Sequence, residues 1–339
     1  MICYNCGQLL PMEVIECPAC GQMIYTTFNM PMAAKGRRID GCLLSEPSPK
    51  DYRAVPNLET LPRKVDLRPY CTPVEDQAQI GSCTACATVG AVEMRAKRDG
   101  KPHVDLSRLF VYFNARRMRG VEATDAGAPM ADSLASLLAF GAPPESAWAY
   151  SMDRLAKTPD EAVYAAAREN QPAEYARVDG LDAIKGALAR EQPVVFASFI
   201  PQRCYDAARG TGLVPAPTGE ELQAMRSLHG THAMLIVGYD LDEKTLLVRN
   251  SWGEGWGDKG YCRIPFDVFE SVLAPNTTWI IGKLEAGGAF TIVRPALASK
   301  PVEGGVKDLA TKMREEIRSS LTKDIEASMK DIRDRLKPR

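Results

Sequence analysis

Two kinds of hydrophobic periodicity divide this chain, and their order constrains the fold more than any other feature. Helical spacing of apolar residues comes first, and short apolar runs typical of strands come later. This order predicts an α+β fold in which the helices are segregated from a mostly antiparallel sheet. The helical patterns cover residues 83–98, 107–117, 131–140 and 159–169, and the strand patterns cover 194–199, 233–239, 246–250 and 261–264.

The chain has 339 residues, which is enough for about two domains or for one large domain with appendages. Five prolines between positions 31 and 62 and little periodicity indicate an extended segment there. Paired glycines at 287–288 and 304–305 interrupt the pattern again near the C-terminus. The predicted organisation is a small unit at 1–24, a linker or extended arm at 25–61, a globular domain at 62–285, a linker at 286–306 and a helix at 307–339.

Charge and hydropathy exclude several classes of protein. The chain carries 42 basic and 43 acidic residues, for a net charge of -1, which disfavours binding to nucleic acid or to an anionic membrane as its main role. The longest apolar runs, such as 193–200, are far shorter than the ~20 residues of a membrane-spanning helix. No secretory signal is visible at the N-terminus, so we expect a cytoplasmic protein.

Four of the ten cysteines form two closely spaced pairs near the N-terminus, and a glycine follows each pair. This spacing resembles short zinc-ribbon modules and predicts one structural zinc ion, rather than free thiols or disulfides. Four sulfur ligands leave no open position for catalysis, and the metal would supply most of the folding energy of so short a segment. The near-zero net charge favours a protein-docking role for this ribbon. The predicted ligands are Cys3, Cys6, Cys17 and Cys20.

The C-terminal segment 307–339 has apolar residues at steps of four, with one step of three, from Leu309 to Leu336. This period predicts an amphipathic helix of about 30 residues, roughly 45 Å long. Two interpretations are open: the helix folds back on its own domain, or it binds a partner or a second copy of the chain. Acidic and basic residues alternate on its polar face, which disfavours a membrane-surface helix.

Cys83 begins the first helical pattern, where the helix dipole and free backbone amides favour the reactive thiolate. A nucleophilic cysteine needs a base, and that base needs a partner that orients it. The chain has only three histidines. His232 opens an apolar strand pattern and Asn250 ends another, so these three residues can supply the three roles. His229, three residues before His232, is a possible rival for the base.

These segments resemble the papain-like cysteine peptidases of family C1. Three motifs match in the order of the family: Gln-x5-Cys from Gln77 to Cys83, His-Ala at His232 before a strand that ends Gly-Tyr, and Asn-Ser-Trp-Gly-x-Gly-Trp-Gly from Asn250. The resemblance covers residues 62 to about 284. It implies a two-lobed fold, with a helical lobe followed by an antiparallel β lobe, and hydrolysis of peptide bonds through an acyl-enzyme.

The resemblance also implies a role for each matching residue. Cys83 would be the nucleophile, and its own backbone N–H would hold the oxyanion together with the side chain of Gln77. His232 would act as general base and acid, and Asn250 would orient its ring. Trp252 would cover the Asn–His hydrogen bond from water.

Substrate-binding residues follow from the same resemblance. Asp125, Ala126 and Gly127 match the segment that binds the substrate backbone, although Asp125 could equally cap the next helix. The match at 192–194 places Ala197 near the main specificity pocket, and Trp252 lies beside the site. A protein or a peptide is the implied substrate.

The chain departs from the family at several positions. Ile80 stands where a disulfide-forming cysteine is usual, Thr84 replaces a tryptophan, and Thr231 replaces an acid or amide. These differences indicate a divergent, bacterial type of member. No long helical propeptide pattern precedes the domain, so any self-inhibition would come from the arm, the ribbon, the tail or another protein.

Two other functions are compatible with the same motifs. One is a catalytically silent peptidase fold that serves as a binding scaffold, which the intact Cys, His, Asn and Gln residues disfavour. The other is acyl transfer to an amine, which uses a similar triad and which the Asn-Ser-Trp-Gly element disfavours.

Overall fold

A computed structural model describes most of the predicted globular domain and parts of the arm that precedes it. The described residues are 38–45, 51–56, 60–172, 174–227, 230–282 and 290–293. The predicted zinc ribbon at 1–24 and the predicted helix at 307–339 therefore lie outside the described residues, as does His229.

The helical patterns of the sequence correspond to the first four α-helices of the structure. Four further helices, α5–α8, are short and lie in segments for which the sequence predicted no helix. Three 3-10 helices occupy Arg68–Tyr70, Met152–Arg154 and Arg168–Asn170. The α-helices are α1 Cys83–Arg98, α2 Arg108–Arg117, α3 Met130–Phe140, α4 Glu161–Ala167, α5 Leu181–Ala189, α6 Gln202–Thr211, α7 Gly219–Ser227 and α8 Phe266–Val272.

The strands are concentrated in the second half of the chain, as predicted, but several short strands come before them. The four predicted strands correspond to β6, β7, β8 and β9. The strands are β1 Cys42–Leu43, β2 Arg53–Pro56, β3 Lys64–Asp66, β4 Ala128–Pro129, β5 Glu174–Arg177, β6 Val194–Ser198, β7 Gly230–Asp240, β8 Thr245–Arg249, β9 Tyr261–Pro265, β10 Trp279–Gly282 and β11 Phe290–Val293.

The strands join in one mostly antiparallel sheet, with β11, β2, β5, β10, β6, β7, β1 and β4 in that order. β3 pairs with β7, and β8 lies between β7 and β9. Only two of the described pairs, β1 with β4 and β2 with β5, are parallel. β2 and β11 pair with each other outside the predicted domain limits of 62–285, so the sheet extends further in both directions along the chain.

Helix α1 connects the helical part of the structure to the sheet. It packs against α2 and α3 and also against the long central strand β7. Most of its residues are buried, because small side chains such as alanine and glycine allow close approach on several faces. This arrangement confirms the predicted α+β class. None of the described helices is both long enough and apolar enough to cross a membrane.

A buried polar network fixes α1 against the strand that precedes Asn250. A Cβ atom on Gly90 would lie 2.6 Å from Nη1 of Arg249, so glycine makes room for this guanidinium. Arg249 donates to Thr72, whose hydroxyl in turn donates to the buried Glu93 carboxylate at 2.7 Å. Burial raises the pKa of Glu93 to about 7. The network therefore holds the first helix in register with β8.

Candidate active site

The thiol of Cys83 lies at the first residue of α1, at the junction between the helices and the sheet. The loop before it is braced by Tyr150, whose hydroxyl lies 2.6 Å from the Ser82 hydroxyl and donates to the Gln77 carbonyl at 2.9 Å. Ser82 is the N-cap residue, but its side chain makes no capping hydrogen bond because it is used in this brace. Cys83 is completely buried.

The imidazole of His232 is oriented by an asparagine on the neighbouring strand. Nε2 of His232 lies 2.8 Å from Oδ1 of Asn250, which immediately follows β8. The same Oδ1 accepts the backbone N–H of Ser251 at 2.8 Å, so this atom is an acceptor. Nε2 therefore carries the ring hydrogen, and Nδ1 has its lone pair. Within the described part of the chain, this buried Nδ1 has no hydrogen-bond partner.

Aromatic side chains enclose the His232 ring. Trp252 stacks on it with centroids 4.9 Å apart, and Tyr205 meets it edge-on at 5.5 Å. Trp256 packs against Trp252 at 5.3 Å. Trp252 is only 2% exposed. Its described ring contacts are to these aromatic residues and the imidazole, so it shields the His–Asn hydrogen bond from water. No motif in the sequence predicted that Tyr205 contacts this imidazole.

The side chain of Gln77 is linked to the same asparagine loop through Ser251. Oε1 of Gln77 accepts the Ser251 hydroxyl at 2.5 Å, and Nε2 donates one hydrogen to the Ile80 carbonyl at 3.0 Å. An amide nitrogen has two hydrogens, so Nε2 of Gln77 carries a second donor besides the one bonded to Ile80. The Ser251 hydroxyl thus holds the Gln77 side chain, and the Ser251 backbone N–H holds the Asn250 side chain. The sequence motif did not indicate this link between Gln77 and Asn250.

Part of the arm lies beside these residues, between two strands of the domain. Strand β1 of the arm pairs with β4 on one side and with the start of β7 on the other. The Gly41 carbonyl accepts the Ala128 N–H at 2.9 Å, and the Thr231 hydroxyl donates to the Cys42 carbonyl at 2.8 Å. A Cβ on Gly41 would lie 2.6 Å from the Gly81 carbonyl oxygen. The arm therefore lies directly against the loop that carries the candidate nucleophile.

Burial shifts the pKa values of both Cys83 and His232. Loss of solvent raises the pKa of the Cys83 thiol well above its ordinary value, with a further contribution from the Cys42 thiol and only partial opposition from the Ala233 backbone amide. Burial also lowers the pKa of His232 to about 4, although the hydrogen bond that the ring donates to Asn250 raises it. Burial therefore favours the neutral thiol, whereas the helix N-terminus favours the thiolate.

The predicted substrate-binding residues lie in two places. The Asp125 carboxylate accepts the Gly81 N–H at 3.1 Å, and Gly127, with a φ of 76°, lies against Gly41 of the arm. Ala126, between them, is half-buried. Ala197 is buried in β6 opposite Ala233, one residue from the pairing partner of His232. The four predicted zinc ligands, Cys3, Cys6, Cys17 and Cys20, lie outside the described residues.

Comparisons with known proteins agree on one family. The family model described as papain family cysteine protease matches residues 61–274. An uncharacterized peptidase C1-like protein of Acanthamoeba polyphaga mimivirus is 30% identical over 234 residues, which cover 65% of this chain and 72% of that protein. Cathepsin K of Gallus gallus is 31% identical over 229 residues, covering 64% of this chain and 63% of its own length.

A solved structure shows the same similarity. Xylellain, a cysteine protease from Xylella fastidiosa, superposes with a TM-score of 0.63 at 30% sequence identity. The match covers 74% of this chain and 99% of the xylellain chain.

Proposed function

This chain belongs to the papain family of cysteine proteases, and from that membership we propose that it hydrolyses peptide bonds with Cys83 as the nucleophile. The cysteine-peptidase class predicted from the motifs is confirmed by the family. The observation that supports this assignment of residues is the 2.8 Å contact between Nε2 of His232 and Oδ1 of Asn250. His232 is on β7, which packs against α1, the helix that begins at Cys83.

The proposed reaction has two stages. The Cys83 sulfur attacks the carbonyl carbon, while its own backbone N–H and Nε2 of Gln77 hold the developing oxyanion. His232 gives the proton taken from the thiol to the leaving amine, so the C–N bond breaks and a thioester remains. His232 then removes a proton from water, whose oxygen attacks the thioester, and the proton returns to the departing sulfur.

Cleavage of peptides by a chain whose arm has been displaced tests this function. New amino termini should appear in a mixture of unstructured peptides, with water as the acceptor of the acyl group. Products that instead carry an added amine would indicate acyl transfer. Binding of peptides without any cleavage would indicate the silent scaffold.

We also propose that the arm keeps the enzyme latent. β1 occupies the space between β4 and β7, and Cys83 beneath it is fully buried. The neutral thiol and the neutral imidazole favoured there lack the charge separation that the nucleophile requires. Arm displacement would restore water to the site and lower the energetic cost of forming the thiolate.

The titration of His232 should report this displacement. Burial is the first cause of its lowered pKa, so in the intact chain the ring should take up a proton only as the pH falls through about 4. Displacement of the arm should move the midpoint up toward the ordinary value of 6.5. The displaced form then binds more protons between these pH values, so the arm-covered form loses stability as the pH falls through that window.

Tryptophan fluorescence can measure that midpoint, because Trp252 stacks on the ring. The signal should vanish in His232→Gln and persist in His103→Gln, which changes an exposed histidine. Equal midpoints with and without the arm would show that the arm does not desolvate His232.

We propose that the N-terminal ribbon binds one zinc ion and serves as a docking element for another protein. The two Cys-x2-Cys pairs support this, because four thiolates satisfy a tetrahedral ion. Elemental analysis should find about one zinc per chain, and Cys3→Ser together with Cys17→Ser should remove it. Cys204→Ser should retain the metal, and a wild-type chain without zinc would contradict the proposal.

The C-terminal helix and the location of the protein are further proposals. The helix at 307–339 would bind a partner or a second copy of the chain through its apolar stripe, and with the ribbon it would target or regulate the peptidase. A cytoplasmic location is supported by the paired N-terminal cysteines, and the six described cysteines are free thiols. No membrane or nucleic-acid partner is proposed.

A further inference from the structure

The arm places an arginine side chain against the wall of the cleft, next to the candidate nucleophile. Nη1 of Arg38 donates to the Asp125 carbonyl at 2.7 Å and lies 2.9 Å from the Asp125 carboxylate. Its Nε donates to Asp40, also in the arm, at 2.8 Å. The Arg38 side chain is only 13% exposed. A half-buried guanidinium therefore connects the arm to the loop that carries Asp125.

The acceptor belongs to the enzyme and is held in place without the arm. The Asp125 carboxylate accepts the Gly81 N–H at 3.1 Å and the Tyr112 hydroxyl in a short hydrogen bond. The Tyr112 hydroxyl in turn accepts the Gly127 N–H at 2.9 Å. Asp125 thus ties the loop before Cys83 to the strand that pairs with the arm.

The surroundings leave the carboxylate available to a cation from the cleft. Another cation among the described residues, Arg116, lies over the Tyr112 ring, with its guanidinium 4.2 Å from the ring centre. It is occupied by the carbonyl groups of Glu122, Thr124 and Leu155. Among the described residues, Arg38 is therefore the cation that pairs with Asp125 from the arm.

The surface formed by Gly81 and Asp125 also fits a planar group such as a guanidinium. A Cβ on Gly81 would lie 2.9 Å from Nη1 and 3.0 Å from Cζ of Arg38, so the guanidinium lies directly on the glycine backbone. A planar guanidinium can donate to a carbonyl and a carboxylate at once, whereas an ammonium group acts as a point charge. The geometry favours arginine over lysine.

We propose that Asp125 and Gly81 form a subsite for an arginine side chain of peptide substrates, and that Arg38 fills this subsite while the arm covers the cleft. The proposal rests on the peptidase function and names a feature of its substrates. Asp125 then acts as a specificity residue, and Cys83, two positions after Gly81, is close enough for the bound arginine to set where the substrate is cut.

Peptide binding tests the subsite without relying on catalysis. The protein is the full chain with Cys83→Ala and with Gly41→Val, which expels the arm. Labelled six-residue peptides carry arginine or its neutral isostere citrulline at each position in turn, and fluorescence anisotropy gives the Kd. At one position arginine should bind about tenfold more tightly than citrulline. Asp125→Asn should remove this preference. The control is Asp132→Asn, which changes an aspartate of α3 that pairs with Arg119, and it should keep the preference.

The outcomes separate this proposal from the peptidase function. Equal binding of arginine and citrulline peptides at every position, or binding of neither, overturns the subsite. Cleavage of peptides by the arm-displaced Cys83 chain with no preference for arginine also overturns it and leaves the peptidase function intact. Arginine-dependent binding to the Cys83→Ala chain, together with no cleavage by the arm-displaced Cys83 chain, supports the subsite and contradicts the peptidase function.

Discussion

Replacement of Cys83 with alanine should abolish peptide cleavage, lowering kcat/KM by at least about a thousandfold. The sulfur forms the covalent bond in the proposed reaction, and alanine has no nucleophilic atom in its side chain. The fold should remain, because the residue is small and lies at a helix N-terminus surrounded by alanine and threonine. The measurement is the steady-state rate on an unstructured peptide, with the arm displaced in both proteins.

Cys71→Ala is the matched control. Cys71 is also a buried free cysteine, but it lies in the loop after the first 3-10 helix and contacts the Leu67 carbonyl. Its replacement should leave kcat/KM within about threefold of the parent protein. Comparable activity in Cys83→Ala would contradict the assignment of the nucleophile and would require a different cysteine or a different chemistry.

Replacement of Gly41 with alanine should activate the intact chain. The added Cβ would lie 2.6 Å from the Gly81 carbonyl oxygen and 2.8 Å from its carbon, and neither atom can move without disturbing the loop before Cys83. A clash of this kind costs about 1–3 kcal/mol, which corresponds to a roughly 5–150-fold rise in the fraction of arm-free enzyme. Peptide cleavage should rise by the same factor if the covered form predominates at the start.

Gly210→Ala provides the comparison for this variant. Gly210 is in α6, and a Cβ on it meets no atom within 4 Å, so alanine should leave the cleavage rate unchanged. Hydrogen exchange of the Ala128 amide, which donates to Gly41, reports whether the arm has left. Exchange that accelerates in Gly41→Ala without any rise in cleavage would show that the arm does not inhibit the enzyme.

The long elements of the fold could be predicted from the sequence because their signals are local. Residues 83–98 show helical spacing and form α1 with the same bounds, and the four apolar runs after residue 190 form strands. Helices such as α5 and α8 have nine and seven residues. Segments of about two turns carry a weak periodic signal, which was sufficient for the seven-residue α4 but absent from α5 and α8, where packing determines the structure.

The arm shows why part of the site could not be predicted. Its strand in the cleft has only two residues, Cys42 and Leu43, and it forms because two separate edges meet it. No local pattern in the sequence encodes that pairing. The helix N-terminus favours a thiolate at Cys83, whereas burial, which no local pattern encodes, raises the pKa of its thiol.

Some of the contacts around His232 could be predicted from the sequence, and others could not. The motifs predicted Asn250 as the residue next to the ring, and the structure places it there at 2.8 Å. Tyr205 lies in no motif, and the motif that contains Ser251 does not indicate the bond of its hydroxyl to Gln77. An aromatic contact and a hydroxyl bridge depend on how helices and loops pack in three dimensions.

The position of β1 between β4 and β7 has a consequence for what this enzyme can digest. Neighbouring strands lie about 4.8 Å apart, so departure of the arm leaves a slot roughly 10 Å wide, lined on both walls by main-chain groups that have lost their partners. Such a slot admits a single extended polypeptide and is too narrow for a helix of ~10 Å diameter together with its hydration. Compact proteins would have to unwind locally before they could enter, so the stability of the target itself would select which chains are degraded.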